Sequence, residues 1–372
     1  MNISKLLRPQ VKFFQPYLPG KPIEEVKREL GLKKVFKLAS NENALGTSPK
    51  AVQALRSDCE SSYRYPDGSG VALRRTLAKY WGVKEEEIIL GAGSDEIIEL
   101  LGKTFFNPQD EIIVSAHAFV RYQMAADLMG AKTVTVPMKN FKHDLKKMRD
   151  RINSKTKALF IANPNNPTGT YVNQGEVEEF LSLIPKNKTL PFIIFDEAYY
   201  EYSKELVNDY PNTLKFFRER PNVIILRTFS KIYGLAGLRV GYGIANKEIV
   251  SALDRVRPPF NVSTPAQKAA IAALGDTVHI KKSIETTKRG MIYLLKELLQ
   301  LNLECLPSAG NFLLINFFPR KGEEIFKKLL RKGVIVRSVN EYGLPHHVRV
   351  TVGLDLENRF FIEKLKEVLN SK

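Results

Sequence analysis

The chain has 372 residues, of which 44% are hydrophobic and 26% charged, a length and composition typical of a soluble globular protein with two domains. No apolar run approaches the roughly 18 residues that a membrane-spanning helix requires, so we expect a cytoplasmic protein without a membrane partner. The net charge of +17 is compatible with nucleic-acid binding or with attraction of anionic ligands, but the basic residues are scattered among acidic ones, which favours a solvated surface and no nucleic-acid partner.

The two cysteines, Cys59 and Cys305, lie far apart and have no metal-ligand spacing around them. This pattern indicates neither a disulfide framework nor a zinc site. We therefore expect no metal.

The first forty or so residues carry little periodicity. The stretch "YLPGKPIEEVKREL" predicts a loop leading into a helix. The stretch "LASNENALGTSPKAV" predicts a short strand, a loop and a helix that begins at Ser48-Pro49. We assign residues 1–45 to an N-terminal segment that forms part of a small domain.

From about residue 70 to 250, helical and strand patterns alternate. Short and uniformly apolar segments, including "DEIIVS", "TKALFIANP" and "NVIILRTFS", predict strands that are buried on both faces. Helical patterns separate them, among them "SDEIIELLGKTFF", which a capping serine opens. Residues 46–260 are thus predicted to form a large α/β domain with a mostly parallel sheet flanked by helices.

After "RVRPPFNVSTPAQ" the pattern changes. A long helix within "DTVHIKKSIETTKRGMIYLLKELLQL" precedes the predicted strands "NFLLINFF", "VIVRSV" and "HVRVTVG", with helices between and after them. This order predicts a small α+β domain over residues 261–372, with the boundary near Pro258 to Thr264.

The segment "LGAGSDE", residues 90–96, runs from a strand through glycines into the start of a helix. Backbone N–H groups and the helix dipole favour an anion at such a point, which makes Gly93, Ser94 and Asp95 a candidate phosphate site. The dinucleotide fingerprint G-x-G-x-x-G does not fit, because Glu96 stands where the third glycine belongs. A tight turn without a ligand is the alternative.

Polar residues also follow three later predicted strands. "ANPNNPTGT" begins at residue 162, "FIIFDEAYY" ends one strand with Asp196, and "TFSKIYGLAGLRVGYG" places Lys231 where another strand leaves the core. Ligands of open parallel sheets bind beyond these strand ends. Taken singly, each segment has an ordinary alternative: a turn, a structural salt bridge, or a lysine whose stem lies on apolar surface.

Together, "GAGSDE", "NPNNPTG", "DEAY", "SK" and "GLAGLRVG", in this order, resemble the pyridoxal-phosphate aminotransferases of fold type I. Within that superfamily, "LASNENALG", "YRYPDGSG", "SKIYGLAGLRVGYG" and "VRVTVG" are similar to the histidinol-phosphate aminotransferases, so that the resemblance spans nearly the whole chain. It implies a sheet of the seven-stranded type, pyridoxal 5'-phosphate as cofactor, small-molecule substrates and a homodimer.

The resemblance also implies roles for the polar residues. Lys231 would bond to the cofactor aldehyde and then move a proton between substrate and cofactor carbons. Asp196 would pair with the protonated pyridine nitrogen; at ~4 Å and an effective dielectric of ~20 such a pair is worth roughly 4 kcal/mol. Tyr199, with Asn166, would hydrogen-bond the phenolate oxygen. The predicted catalytic residues are Lys231, Asp196 and Tyr199.

Further matches concern cofactor binding. The family usually stacks a tyrosine on the pyridine ring; the matching residue here is Phe119, with Tyr122 as the other candidate. Tyr65 in "YRYPDG" matches a tyrosine that reaches the cofactor of the neighbouring subunit. Arg239 would hold the cofactor phosphate. The predicted cofactor-binding set is Gly93, Ser94, Asp95, Phe119, Asn166, Asp196, Tyr199, Thr228, Ser230, Lys231, Arg239 and Tyr65.

Substrate binding is predicted mainly at two arginines. Arg349 in "HVRVTVG" matches the arginine that binds the anionic group of the substrate, and Arg337 in "VIVRS" is a helper, because a planar guanidinium suits a carboxylate or phosphate. An outward-facing arginine on an alternating strand is the alternative. Tyr17 and Asn43 are further candidates for lining the site.

The implied reaction is a ping-pong transamination between histidinol phosphate and 2-oxoglutarate. Relatives with the same core motifs act on aromatic amino acids, and others decarboxylate threonine phosphate, so both activities stay open as alternatives. A regulator with this fold would carry an added helix-turn-helix domain, for which the chain has no room before residue 40.

Overall fold

A computed structural model describes residues 3–12, 14, 20–58, 60, 63–185 and 191–370. None of the helices in these ranges is both long and apolar enough to cross a membrane. The strands are β1 (Phe36–Lys37), β2 (Ile88–Gly91), β3 (Glu111–Ser115), β4 (Lys132–Val136), β5 (Thr156–Ala162), β6 (Phe192–Asp196), β7 (Val223–Thr228), β8 (Gly241–Ile244), β9 (Glu304–Cys305), β10 (Phe312–Asn316), β11 (Val334–Ile335), β12 (Arg337–Ser338) and β13 (His347–Thr351).

The α-helices are α1 (Ile23–Leu30), α2 (Pro49–Arg56), α3 (Val71–Trp81), α4 (Ser94–Phe105), α5 (Val120–Met129), α6 (Leu145–Asp150), α7 (Gln174–Ser182), α8 (Tyr200–Leu206), α9 (Thr213–Glu219), α10 (Lys247–Asp254), α11 (Thr264–Leu274), α12 (Thr277–Gln300), α13 (Gly322–Arg331) and α14 (Asp355–Asn370).

Within the described ranges, seven strands form the large sheet in the order β2-β8-β7-β6-β5-β3-β4. Strand β8 runs antiparallel to both of its neighbours, and the other pairs are parallel. The sheet is therefore mostly parallel, and the predicted α/β class is confirmed. Parallel strands bring their carboxyl ends to one edge of the sheet, which is where the polar residues of the motifs meet.

The large sheet is buried on both faces. Along β6, Ile193 and Phe195 enter one hydrophobic cluster and Ile194 enters the other. Successive side chains of a strand point to opposite faces, so burial of both faces requires an unbroken apolar run. The uniformly apolar strand segments of the sequence follow from this packing.

A smaller unit combines the C-terminal part of the chain with its N-terminal segment. Strands β12, β13, β10 and β9 form an antiparallel sheet in that order, and β1 pairs in parallel with β11. The prediction of one strand over "VIVRSV" is wrong. Val334 and Ile335 pair with β1, whereas Arg337 and Ser338 pair with β13, so the segment leaves one sheet and enters another.

The hydrophobic clusters indicate which helices pack in the core of the large unit and which pack in the core of the small one. Helix α11 lies in the large hydrophobic cluster together with Ala51 of α2. Ile284 of α12 belongs to that cluster too, and Met291, two turns later, belongs to the cluster of the small unit. The division at residue 260 stays a prediction, and this packing favours a change of core within α12.

Candidate active site

A cleft of about 260 Å³ opens at the carboxyl ends of β5, β6 and β7, between the large sheet and the small one. The segments that line it come from distant parts of the chain because each follows a different strand of the large sheet or belongs to the small sheet. The predicted site residues that line it are Gly93, Ser94, Asp95, Phe119, Asn166, Asp196, Tyr199, Thr228, Ser230, Lys231, Arg239, Arg337 and Arg349.

Two predicted residues that the structure describes, Tyr65 and Asn43, do not line the cleft of this chain. Tyr65 is 82% exposed and its ring stacks on Phe260 with centroids 4.7 Å apart. Asn43 is buried, and its Nδ2 donates to the carbonyl of Ile232 at 2.6 Å and to Oγ of Ser283 at 2.9 Å, which is a structural role for this side chain. Tyr17 lies outside the described residues.

The start of α4 differs from its prediction. Gly93 is the N-cap residue with φ +83°, Ser94 is the first helical residue, and no side chain caps the helix, so the expectation of a capping serine is wrong. The carboxylate of Glu96 instead accepts from the N–H of Ala92 at 2.6 Å. The first N–H groups of a helix have no acceptor within it, so this uncapped end is suited to an anion.

An anion cradle, which we define as Gly93, Ser94, Thr228, Ser230 and Arg239, surrounds this helix end. Oγ1 of Thr228 donates to Oγ of Ser230 at 3.0 Å, and Nη1 of Arg239 lies 3.4 Å from the same Oγ. A Cβ at Gly93 would lie 2.5 Å from Nη2 of Arg239. Glycine is therefore required for the guanidinium to approach the helix end this closely.

Asp196 ends β6 and is buried at the floor of the cleft. Its Oδ2 accepts from the hydroxyl of Tyr122 at 2.7 Å, and its Oδ1 accepts from the N–H of Ala198 at 3.2 Å. Burial raises the pKa of Asp196 to about 6, against the opposing effect of the Tyr122 hydrogen bond. The site thus holds a carboxylate that gains from any cation placed beside it.

Phe119 and Tyr122 are the two residues predicted as candidates to stack on the ring of a cofactor. Tyr122 is buried and stacks on Phe160 with centroids 4.6 Å apart, while its hydroxyl is engaged by Asp196. Phe119 lines the cleft and meets Tyr122 edge-on at 5.8 Å. This packing favours Phe119 for stacking, which stays a prediction.

Lys231 follows β7 and is partly buried. Its Nζ donates to the carbonyl of Ser40 at 3.1 Å and lies 5.6 Å from the ring centre of Tyr199. Burial, followed by the positive charge of Arg349, lowers the pKa of Lys231 to about 8. A larger fraction of the amine is therefore neutral near pH 7 than for an ordinary lysine, which suits a nucleophile or a proton acceptor.

Arg349 on β13 connects the small sheet to the loop after β5. Its Nη1 donates to Oδ1 of Asn166, and its Nη2 donates to the carbonyl of Ala39 at 2.5 Å. Arg337 on β12 lies opposite Arg349 in the ladder and donates to the carboxylate of Glu341. The cleft therefore carries the two guanidinium groups of the small sheet as well as that of Arg239.

Residues 33–364 match the family described as aminotransferase class I and II. The chain belongs to this family. The cleft of this aminotransferase lies where the family's sequence motifs converge, and the predicted resemblance is confirmed.

Several relatives cover nearly the whole aminotransferase. A histidinol-phosphate aminotransferase of Moorella thermoacetica is 48% identical over 363 residues, which are 97% of this chain and 92% of the relative. One from Caldicellulosiruptor saccharolyticus is 45% identical over 98% of this chain and 100% of its own length. Sequence similarity to enzymes of this name thus extends over nearly the whole chain.

Solved structures agree in fold. The histidinol-phosphate aminotransferase of Sinorhizobium meliloti in complex with pyridoxal-5'-phosphate superposes with a TM-score of 0.88 at 26% identity, over 98% of this chain and 97% of that one. The L-threonine-O-3-phosphate decarboxylase of Porphyromonas gingivalis gives a TM-score of 0.79 at 21% identity, over 91% of this chain and 100% of its own. The second likeness extends to the fold alone, so fold does not separate the two chemistries.

Among the lining residues that sequence reasoning missed is Asn41, a polar residue in contact with Tyr199. Nδ2 of Asn41 donates to the hydroxyl of Tyr199 at 2.9 Å, and its Oδ1 accepts from Oγ1 of Thr351 at 3.1 Å. Asn41 stands two residues before Asn43 in "SNEN", the motif in which the sequence predicted Asn43 as the lining residue. The left-handed backbone of Asn41, with φ +54°, turns the chain at that point.

Proposed function

We propose that this aminotransferase uses pyridoxal 5'-phosphate to transfer the amino group of L-histidinol phosphate to 2-oxoglutarate, which gives imidazole acetol phosphate and L-glutamate in histidine biosynthesis. The observation that carries the reaction type is Lys231 at the end of β7 beside Asp196 at the end of β6, in one cleft with the anion cradle. The choice of substrate is supported by relatives of that name at 43–48% identity.

The residues of the cleft fit the cofactor. The anion cradle would hold its phosphate, since two hydroxyls and a helix N-terminus meet there with the Arg239 guanidinium, which the missing side chain of Gly93 admits. Asp196 would face the pyridine nitrogen, and Asn166 with Tyr199 would contact the phenolate oxygen. When bound, the cofactor supplies an aldehyde that accepts the amino group and a protonated ring that withdraws electrons.

The protein's own groups then have distinct tasks. Lys231 would move a proton from the substrate carbon to the cofactor carbon, and its pKa of about 8 places it within the range of an acid–base group at neutral pH. Asp196 would favour a protonated ring nitrogen, because its buried charge would be stabilised by that cation. Tyr122 keeps Asp196 oriented and favours its ionised form.

Arg349 and Arg337 would bind the anionic group of each substrate in turn. The same guanidinium groups accept the phosphate of the amino donor and a carboxylate of the oxo acid, since both anions present oxygens to planar donors. The two substrates never occupy the site together in a ping-pong cycle, so one anion site serves both.

We further propose that the enzyme is a cytoplasmic homodimer. Tyr65 and Phe260 present a stacked aromatic pair on the surface outside the cleft, as a residue that reaches a partner subunit would. The cytoplasmic location is a prediction from composition.

The first test compares substrates. The purified enzyme, loaded with cofactor, receives histidinol phosphate, phenylalanine or threonine phosphate, and glutamate formation from 2-oxoglutarate and release of carbon dioxide are measured. We expect the largest kcat/KM with histidinol phosphate. A larger value with phenylalanine would make the enzyme an aromatic aminotransferase, and carbon dioxide from threonine phosphate would make it a decarboxylase. Lys231→Ala provides the control, which must abolish turnover.

A further inference from the structure

Two arginines of the small sheet share one of its faces. Arg337 on β12 and Arg349 on β13 are direct partners across the antiparallel ladder, and both line the cleft. Side chains opposed in this way have Cβ atoms about 4.5–5.5 Å apart, and like charges in such positions destabilise the pair. This arginine pair, Arg337 with Arg349, is therefore an anion site whose two charges repel each other unless a negative group offsets them.

The two guanidinium groups have different acceptors. Arg349 donates to the neutral oxygens of Asn166 and Ala39. Arg337 donates to the carboxylate of Glu341, four residues later. The Arg337 side chain is 11% exposed and that of Glu341 is 42% exposed. The carboxylate thus contacts the arginine pair from its solvent side.

The carboxylates that line the cleft have other contacts. Glu42 pairs with Lys37 at 3.0 Å, and Asp95 pairs with Arg121 at 2.6 Å. Asp196 accepts from a hydroxyl at the floor. Glu341, by contrast, contacts Arg337 of the arginine pair.

We propose that Glu341 is a built-in counterion that competes with the substrate anion for Arg337 and so sets how tightly the site holds phosphate and carboxylate. This inference rests on the proposed function, because it requires an anionic substrate at the arginine pair. A ping-pong cycle must release one anion before the next one binds. A carboxylate that returns to Arg337 offsets the charge of the arginine pair during that exchange.

The competition acts on binding rather than on the chemical step. The anion is held away from the reacting carbon, and contacts that are equal in the ground and transition states change KM and leave kcat. Partly exposed ion pairs of this kind alter an equilibrium by about two- to fivefold. Loss of the Glu341 charge should therefore tighten anion binding by that factor.

The test is Glu341→Gln in the cofactor-loaded enzyme, a change that removes the charge and keeps the shape. We expect the KM values of histidinol phosphate and of 2-oxoglutarate to fall about two- to fivefold, with kcat changed less than the KM values. Inorganic phosphate, used as a competitive inhibitor, should show a lower Ki by a similar factor.

Glu323→Gln is the matched control. Glu323 also forms a pair with a residue four positions away and is 41% exposed, but its partner on α13, Lys327, does not line the cleft, whereas Arg337 does. It should retain wild-type constants. Unchanged KM and Ki values in Glu341→Gln, or a shift that Glu323→Gln shares, would overturn the inference. If wild-type enzyme does not turn over histidinol phosphate, the proposed function fails; the phosphate Ki against whichever amino donor it does use still tests Glu341.

Discussion

Asp196 is a single residue whose buried carboxyl group serves the site but lowers the stability of the folded protein at neutral pH. Its carboxyl lies in the buried end of β6, and burial raises its pKa to about 6 from the ordinary value of 3.8. Above pH 6 the cofactor-free protein must bury a negative charge, which hydrogen bonds from Tyr122 and Ala198 offset only in part. A pyridinium beside it would remove that penalty, so cofactor binding and stability are coupled through this group.

We expect Asp196→Asn to stabilise the cofactor-free protein at neutral pH. A raised folded pKa means that the folded state binds more protons between pH 3.8 and about 6, so stability falls as the pH rises through that window and the loss is complete above it. The shift corresponds to a gain on the order of 3 kcal/mol for the variant at pH 7, which disappears below pH 4. Denaturant titrations at both pH values measure it.

The same variant should bind pyridoxal phosphate more weakly, because an amide cannot stabilise a charged ring nitrogen. Titration of the apoprotein with the cofactor measures this. Equal stability of both proteins at pH 7, or an undiminished cofactor affinity, would contradict the role assigned to Asp196.

At the scale of elements, the junction of β2 and α4 forms the anion cradle by backbone geometry. Gly93 combines φ +83° with ψ 164°, a conformation essentially restricted to glycine. The absence of a side chain there also admits the Arg239 guanidinium. The helix end and the arginine therefore depend on one glycine.

We expect Gly93→Ala to lower cofactor affinity at least tenfold and to destabilise the protein by about 1–3 kcal/mol, because the new methyl group strains the backbone and displaces Arg239. Gly31→Ala is the control, since Gly31 has φ +65° and a Cβ there meets no atom within 4 Å. It should lose stability while cofactor affinity stays normal. An equal loss of cofactor affinity in both variants would indicate a global effect.

For the whole molecule, the predicted homodimer with shared sites can be tested by combining two inactive variants. If Tyr65 completes the site of the partner subunit, each site takes Lys231 from one chain and Tyr65 from the other. Tyr65→Ala and Lys231→Ala then damage the contributions of different chains to a site. We expect each variant alone to be inactive or nearly so. Unfolding and refolding them together should restore about a quarter of wild-type activity, because half of the dimers are mixed and each mixed dimer has one intact site.

Lys231→Ala mixed with Asp196→Asn is the control for this experiment. Both residues line the cleft of the same chain, so no mixed dimer has an intact site and activity should stay absent. Light scattering measures the oligomeric state directly. A monomer, or no recovery in the first mixture, would refute the shared site.

The sequence by itself determined the α/β class, the family and most of the residues that line the cleft. Apolar runs predicted the strands because both faces of the large sheet are buried, and the polar residues that follow these strands must meet at one edge of a parallel sheet. Lys231, Asp196 and Arg239 could be selected because the motifs that contain them, taken together and in order, resemble those of the family.

Contacts between distant segments could not be predicted from the sequence and are seen in the folded structure alone. Asn41 reaches Tyr199 across 158 residues, and Arg349 reaches Asn166 across 183, so no local pattern distinguishes Asn41 from Asn43. The segment "VIVRSV" is divided between two sheets because its first part pairs with β1, which comes from the N-terminal segment of the chain. Likewise, which residue the hydroxyl of Tyr122 contacts depends on how helix α5 packs. These contacts form because folding brings together groups that lie far apart in the sequence.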